Sequence, residues 1–182
     1  MLILVGHSAS GKTEIANELK RDYNMKKIIT YTTRPIRINE VNGVDYHFVT
    51  EEEFLKLKEA DFFVETTFFN GYYYGSSKND VKDDSVVILD PAGLQNFKNS
   101  NLDNIIAIFL NCDEEIRYKR MINRGDDPQK AYERLVHDRE KFSYDKLRGI
   151  DEFINTSVFS INYLSELVFK TYHELLNKKK ED

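Results

Sequence analysis

Cysteine and long apolar stretches are scarce in this sequence, and each scarcity excludes a class of protein. Cys112 is the only cysteine among 182 residues, so the chain can form neither an internal disulfide nor a metal site built from several cysteines. Apolar runs stay far below the about 18 residues that a membrane-spanning helix needs. Lys and Arg number 26 against 31 Asp and Glu, and no basic block indicates a nucleic-acid partner. We therefore expect a cytoplasmic protein, monomeric or a small homo-oligomer, that binds neither nucleic acid nor membranes.

The pattern of apolar residues predicts an α/β fold. Short apolar runs at residues 2–5, 86–89 and 105–110 are typical of strands buried in a parallel sheet. Helical patterns at 13–24, 114–124 and 158–178 alternate with these runs. Residues 44–74 differ, because aromatic and β-branched runs there predict a small, partly antiparallel insertion with a hairpin at Asn70-Gly71. We find no linker or repeat and expect one domain.

A glycine-rich loop follows the first predicted strand. Residues 6–13 read "GHSASGKT", the Gly-x-x-x-x-Gly-Lys-Thr pattern in its strand–loop–helix context. In such a loop the backbone N–H groups face a polyphosphate, Lys12 contacts its outer phosphates and the Thr13 hydroxyl holds Mg²⁺. The alternative is a tight turn that happens to contain a lysine. Asp90, which ends the run "VVILD", is either a second acidic group near the metal or a carboxylate at an ordinary strand end.

A second anion site is predicted in "TYTTRPIRINEVNGVDYHF", residues 30–48. Pro35 keeps the preceding backbone extended, so Arg34 and Arg37 can project from one loop. Two guanidinium groups that face one point can hold a phosphate dianion, and the hydroxyls of Tyr46 and Tyr74 are candidate neutral donors. The alternative is that both arginines form surface ion pairs with Glu40 or with the glutamates at 51–53.

Glu65 stands in an otherwise apolar and aromatic run, where an unpaired carboxylate is costly. Guanine offers two donors on one edge, the ring N1–H and the exocyclic amine, and one carboxylate can accept from both. Adenine presents an acceptor at N1 and would be repelled. Hydroxyls of Thr30 and Ser76 could complete the contacts to a purine. The alternative partner for Glu65 is a lysine or arginine in the core.

These motifs together resemble the guanylate kinases, P-loop enzymes that transfer a phosphoryl group from ATP to GMP. The resemblance rests on "GHSASGKT", "TTRPIRINEVNGVDYHFV", "ETTFFNGYYYGSS" and "LDPAG", and it continues more weakly through "YKRMINRGDD" and "DEFINTS". It implies a three-layer α/β/α P-loop NTPase fold with a central, mostly parallel sheet. The implied core comprises residues 1–30, 84–112 and 146–182, with a mixed β insertion that binds the nucleoside monophosphate at about 31–83 and a helical lid at about 113–145.

The resemblance also implies a role for individual residues. It places ATP at Gly6, His7, Ser8, Ala9, Ser10, Gly11, Lys12, Thr13 and Asn155. It places GMP at Thr30, Arg34, Arg37, Glu40, Tyr46, Glu65, Tyr74, Ser76 and Asp90. The implied catalytic residues are Lys12, Arg37, Arg124 and Arg134, of which the last two are lid arginines that close over ATP. The implied cofactor is Mg²⁺ at Thr13, with Asp90 as a second candidate ligand.

Two other functions remain open from the sequence. The first is a P-loop kinase of the same fold that acts on another phosphorylated acceptor, such as a different nucleotide or a sugar phosphate. The second is a protein-binding module of this fold without catalysis, against which the intact Gly11-Lys12-Thr13 argues. The expected activity is Mg²⁺-dependent phosphoryl transfer from ATP to GMP and dGMP.

Overall fold

The computed structural model describes residues 1–38, 40–69, 71–100 and 102–181. Its strands are β1 Leu2–Gly6, β2 Lys26–Lys27, β3 Tyr31–Thr32, β4 His47–Phe48, β5 Phe63–Phe69, β6 Tyr72–Ser77, β7 Ser85–Ile88, β8 Ile106–Asn111 and β9 Glu152–Asn155. Its helices are α1 Lys12–Asp22, α2 Glu51–Glu59, α3 Pro91–Lys98, α4 Glu114–Asn123, α5 Pro128–Lys141 and α6 Ile161–Glu181. The three predicted apolar strands are confirmed as β1, β7 and β8.

The larger sheet has five parallel strands in the order β2-β7-β1-β8-β9. Alternate side chains of β1 enter two different cores, as the period of two in a strand requires. Leu2 and Leu4 pack with residues of α1 and α6, whereas Ile3 and Val5 pack on the opposite face with residues of α3. The result is the predicted three-layer α/β/α arrangement, in which both faces of the sheet are covered.

The smaller sheet has the order β4-β3-β6-β5 and is mixed, since β3 and β4 are parallel while the other pairs are antiparallel. Strands β5 and β6 pair up to Phe69 and Tyr72, in agreement with a hairpin. Of the predicted turn, Gly71 has a φ of 81° and Asn70 lies outside the described residues. Helix α2 packs on this sheet through the stacked rings of Phe54 and Phe63.

Helices α4 and α5 form an antiparallel pair beside the end of β8. Met121 of α4 packs with Ala131 and Leu135 of α5 in a small core of its own. The described residues include no helix that is both long enough and apolar enough to cross a membrane.

Strand β2 and helices α2 and α3 are among the elements that were not predicted from the sequence. Strand β2 has two residues, too few for an apolar period to show. Helix α3 has eight residues with Gly93 inside, which weakens the helical pattern. The start of α3 could nevertheless have been predicted, because an aspartate followed by a proline is typical of a helix N-terminus. In the structure Asp90 caps the helix by accepting from the Gly93 N–H at 2.7 Å, and Pro91 occupies the first helical position.

Candidate active site

A cavity of about 430 Å³ opens where β1 and β7 end, between the larger sheet, the smaller sheet and helix α5. This is the edge at which open α/β sheets bind ligands. The predicted site residues that line it are Gly6, Ser8, Lys12, Thr13, Thr30, Arg34, Arg37, Glu40, Tyr46, Glu65, Tyr74, Asp90 and Arg124. The predicted site residues that do not line it are His7, Ala9, Ser10, Gly11, Ser76, Arg134 and Asn155.

The loop between β1 and α1 depends on two glycines. A Cβ on Gly6 would lie 2.6 Å from the Leu110 carbonyl oxygen, so only glycine allows this approach to β8. Gly11 has a φ of 95°, in the left-handed region, and leads directly into α1. Ala9 also has a positive φ, 58°, which costs a non-glycine residue about 1 kcal/mol. The loop therefore holds a strained turn whose N–H groups and following helix start form an anion cradle.

The Lys12 ammonium lies inside this loop. It donates to the carbonyl oxygens of Gly6 at 2.8 Å and His7 at 2.7 Å. Burial lowers the pKa of Lys12 to about 8, although the charge of Asp138 opposes the shift. A desolvated cation with two carbonyl partners attracts a polyphosphate more strongly than an exposed lysine would.

Asp138 of α5 was not predicted, yet it joins the glycine loop to the helical pair. Its carboxylate is buried and accepts from the Ser8 N–H at 2.7 Å and the Ser8 hydroxyl at 3.2 Å. It also accepts from the buried Arg117 of α4 at 3.0 Å. Arg117 in turn donates to the Cys112 carbonyl at 3.1 Å. The sequence did contain a pattern that could have indicated Asp138. Arg134, Asp138 and Lys141 recur at spacings of four and three, which places them on one face of α5.

His7, within the loop, and Asn155, at the end of β9, do not line the cavity. The His7 ring packs against Phe109 and Phe142, and burial together with the charge of Arg117 lowers its pKa to about 4, so it is neutral at pH 7. Asn155 ends β9 and accepts from the Ser157 N–H at 2.8 Å. The neighbouring Thr156 hydroxyl donates to the Ser10 carbonyl at 2.8 Å, which ties β9 to the loop.

The two predicted phosphate-binding arginines differ in their pairing. Arg34 is buried and donates to both Glu40 oxygens, at 2.7 and 2.9 Å, so the predicted alternative of an ion pair with Glu40 is present for this residue. Arg37 has no carboxylate within salt-bridge distance of its guanidinium among the described residues. Burial and the nearby charges of Arg34 and Arg134 lower the pKa of Arg37. Its unneutralised charge makes this end of the cavity an anion site.

Two tyrosines stand beside these arginines. The rings of Tyr46 and Tyr74 meet edge to face with centroids 6.1 Å apart, and the Arg34 guanidinium lies 5.3 Å from the Tyr46 ring centre. Burial raises the pKa of Tyr46, so its hydroxyl stays protonated and can donate. Tyr46 and Tyr74 therefore stay candidates for the neutral donors that we predicted from the sequence.

Glu65 of β5 lies at the other end of the cavity with one oxygen unpaired. It is buried, and its Oε1 accepts from the Ser76 hydroxyl at 2.9 Å. Its Oε2 has no hydrogen-bond partner among the described residues, so the predicted alternative of pairing with a core lysine or arginine is wrong. Burial raises the pKa of Glu65 to about 8. Ser76 itself lies behind Glu65 and positions its carboxyl group, whereas the unpaired Oε2 leaves hydrogen-bonding capacity for a ligand.

Lys141, a second residue that was not predicted, engages Asp90. The two groups are 2.9 Å apart, and the remaining Asp90 oxygen caps α3. Lys141 also lies 3.2 Å from the ring centre of Phe69 in β5. One lysine of the lid region therefore contacts the core and the insertion at once.

The predicted lid arginines share one carboxylate. Asp126 accepts from Arg124 at 2.6 Å and from Arg134 at 2.8 Å. Although burial alone would raise the pKa of Asp126, these two arginines keep it below its ordinary value. Arg124 lines the cavity, whereas Arg134, on α5, does not. Arg37 is also close enough for its charge to contribute to the lowered pKa of Asp126. Three arginines therefore act on this one carboxylate.

Comparison with known proteins places these features in a family. The family model described as guanylate kinase matches residues 1–159. A guanylate kinase from Wolinella succinogenes is 32% identical over 163 residues, which cover 84% of this chain and 73% of that protein. One from Rickettsia prowazekii is 33% identical over 172 residues, 86% of this chain and 85% of that protein. The crystal structure of guanylate kinase from Anaplasma phagocytophilum has the same fold, with a TM-score of 0.76 at 23% identity over 97% of this chain and 85% of that chain.

The buried pair of Arg117 and Asp138 predicts non-additive stability effects. Arg117→Leu leaves the buried Asp138 without its ion-pair partner, and Asp138→Ala leaves the buried Arg117 with only Glu114, 3.7 Å away, so we expect each to cost about 3–5 kcal/mol of unfolding free energy. The double variant removes both charges, so it should be more stable than either single variant. Urea unfolding measures the three values. Arg139 and Glu114 join the same two helices at the surface, and Arg139→Ala should cost below about 1 kcal/mol. Additive losses in the double variant would contradict this account.

The raised pKa of Glu65 predicts how stability depends on pH. Because the folded pKa of about 8 exceeds the ordinary 4.5, the folded state loses stability as the pH rises between these values. Glu65→Gln removes this loss, so its advantage over wild type should grow from pH 4.5 to pH 8, to an upper limit of roughly 5 kcal/mol at about 1.4 kcal/mol per pKa unit. Urea unfolding at both ends of the range tests this, with the exposed Glu59→Gln as control. Equal pH profiles for wild type and Glu65→Gln would contradict it.

Proposed function

The chain belongs to the guanylate kinase family, and from this premise we propose that it transfers the γ-phosphoryl group of ATP to GMP, giving ADP and GDP. The observation that carries the proposal is the unpaired, buried Oε2 of Glu65, in one cavity with the glycine loop and Arg37. A nucleotide acceptor combines a base with a phosphate, and it would use Glu65 for the base and Arg37 for the phosphate. The glycine loop would bind the phosphate donor. A bare sugar phosphate would have no use for Glu65.

The donor end is formed by the glycine loop. Its backbone N–H groups and the start of α1 would bind the outer phosphates of ATP, with the Lys12 ammonium as the nearest cation. Arg124, which lines the same cavity, and Arg134 both pair with Asp126, and both would exchange Asp126 for phosphate oxygens. We assign Asn155 to the adenine side of this end, since β9 and Thr156 lie against the loop.

The acceptor end would hold the phosphate of GMP by the Arg37 charge and the tyrosine hydroxyls. Arg34 contributes through its fixed position, because Glu40 and the Pro35 carbonyl already orient its guanidinium. The base would lie against Glu65, whose unpaired oxygen accepts from the N1–H of guanine. Adenine has an acceptor at N1, so it would leave Glu65 unsatisfied. Thr30 lines the same cavity and supplies a further hydroxyl.

The reaction needs no general base. A phosphate oxygen of GMP is already an anion, and it attacks the γ-phosphorus in line as the bond to the ADP oxygen breaks. The charge that spreads over the transferred group would be stabilised by Lys12, Arg37 and the two arginines from α4 and α5. The acceptor is held at one end and the donor at the other, so positioning supplies most of the rate.

A divalent metal fits this site, and Mg²⁺ is the metal we propose. The Thr13 hydroxyl lines the cavity at the start of α1 and offers a hard oxygen of the kind that Mg²⁺ prefers. When bound, the metal would neutralise charge on the donor phosphates. Both Asp90 oxygens have other partners, Lys141 and the Gly93 N–H, so Asp90 is the weaker candidate for a second ligand.

Two parts of the chain would close over the substrates. We propose an insertion at about 31–83 and a lid at about 113–145 on a core formed by the remaining residues. The lid and insertion already touch, with the rings of Phe69 and His137 5.2 Å apart. Closure of this kind excludes water while the phosphoryl group is transferred.

Variants of two cations test the roles of the two ends. Arg37→Ala removes a charge-assisted contact to the acceptor phosphate, so we expect the KM for GMP to rise roughly tenfold to a hundredfold with little change in the KM for ATP. Lys12→Ala should lower kcat by about a hundredfold to a thousandfold or more. Steady-state kinetics provide both values, with Arg21→Ala as a control on the outer face of α1. An unchanged KM for GMP in Arg37→Ala would exclude the proposed phosphate site.

A panel of acceptors tests the reaction itself. ATP consumption should be seen with GMP and dGMP and should be far slower with AMP, CMP, UMP and ribose phosphates. Turnover of another acceptor with none of GMP would identify a different P-loop kinase. If ATP fails to bind in calorimetry, the chain is a binding module that uses this fold without catalysis.

A further inference from the structure

We propose that Lys141 sets the base selectivity of the acceptor site, so that the site takes nucleotides of both guanine and hypoxanthine. By pairing with Asp90, Lys141 withdraws the carboxylate that would otherwise accept from the 2-amino group of guanine. The inference rests on the proposed function, since it concerns how that same site reads the base. Guanine and hypoxanthine share the 6-oxo group and the N1–H. They differ only at C2, where guanine has an amino group and hypoxanthine has hydrogen.

Two carboxylates, Glu65 and Asp90, are candidates to bind the base, and Asp90 already has partners for both of its oxygens. Asp90 and Glu65 line the same cavity and are close enough for the Asp90 charge to contribute to the raised pKa of Glu65. One Asp90 oxygen accepts from the Gly93 N–H at 2.7 Å, and the other is 2.9 Å from the Lys141 ammonium. Asp90 therefore keeps little capacity for an uncharged amine that competes with a lysine.

Lys141 is held in place by more than this one contact. Its ammonium lies 3.2 Å from the centre of the Phe69 ring, and its side chain is only 17% exposed. A cation that is desolvated over an aromatic face and paired with a carboxylate has little freedom to leave. We therefore expect the pair to be in place when a nucleotide is bound in the cavity.

Glu65 is left as the carboxylate that reads the base. Its Oε2 has no partner among the described residues, and its Oε1 already accepts from Ser76. The N1–H is the donor that both bases bring to Oε2. The 2-amino group of guanine must then share Oε1 with the Ser76 hydroxyl, so we expect it to contribute less than it would at a separate, unshared carboxylate.

Kinetics with GMP and IMP test the proposal. For the wild type, we expect kcat/KM for GMP and IMP to differ by less than about tenfold, since no separate charged acceptor reads the amine. Lys141→Met retains an apolar contact with Phe69 and frees Asp90, so the preference for GMP should grow by roughly tenfold to a hundredfold, the value of one hydrogen bond to a charged group. The ratio is measured on one protein sample, so a loss of folded protein cancels.

A second substitution separates this effect from a general change in the lid. Asp90→Asn keeps an N-cap for α3 but removes the charged acceptor. In the Lys141→Met background it should return the GMP to IMP ratio to the wild-type value. Lys141→Arg, which retains the ion pair, should also keep that ratio, as should Lys130→Met at the exposed start of the same helix.

Two results would overturn the inference while leaving the kinase activity intact. One is a wild-type enzyme that turns over GMP but rejects IMP by about a thousandfold or more. The other is a GMP to IMP ratio that does not change in Lys141→Met. Failure of wild type to use either nucleotide would instead overturn the proposed function together with this inference.

Discussion

The carboxylate of Asp138 is the contact on which the rest of the cavity depends. It accepts from Ser8 in the glycine loop and from Arg117 in α4, so it fixes the position of α5 against the loop. Helix α5 carries Arg134 one turn before Asp138 and Lys141 one turn after it. The same charge moderates the lowering of the Lys12 pKa, which keeps that ammonium charged at neutral pH. Loss of this one group would therefore affect the loop, the lysine and the lid residues together.

Charged groups in the cavity fall into two sets, and the division indicates where substrates act. Arg34, Asp90 and Asp126 have partners in the free protein and serve to orient the wall. Arg37 and Glu65, which line the same cavity, are left without an ion-pair partner and with one unpaired oxygen, respectively, among the described residues. The unpaired Oε2 of the buried Glu65 lowers the stability of the free protein, and a ligand that bonds to it recovers that loss on binding. A nucleoside monophosphate has an anion and a donor edge at the two ends of one molecule.

Local patterns of the sequence predicted the main strands and the glycine loop because both are determined by neighbouring residues. A buried parallel strand needs an apolar run, and a phosphate loop needs its glycines and lysine at fixed spacing. Asp138 and Lys141 escaped prediction because their partners are distant in sequence, at Ser8 and Asp90. The roles of Arg34 and Ser76 were also incomplete, since pairing with Glu40 and the position behind Glu65 depend on the folded geometry. The assignment of individual residues to ATP and GMP stays a prediction.

The contacts between the lid region and the insertion constrain how substrates pass through the cavity. Phe69 receives both His137 and Lys141 from α5, and Lys141 reaches on to Asp90 in the core. A nucleotide bound beside Glu65 and Asp90 would lie next to these contacts, and we propose that they separate for its entry and release. Since Lys141 takes part in both the ion pair with Asp90 and the ring contact with Phe69, we expect these two contacts to break together when the site opens. The residue that we infer to tune base selectivity is therefore also part of the contact that opens for substrate exchange.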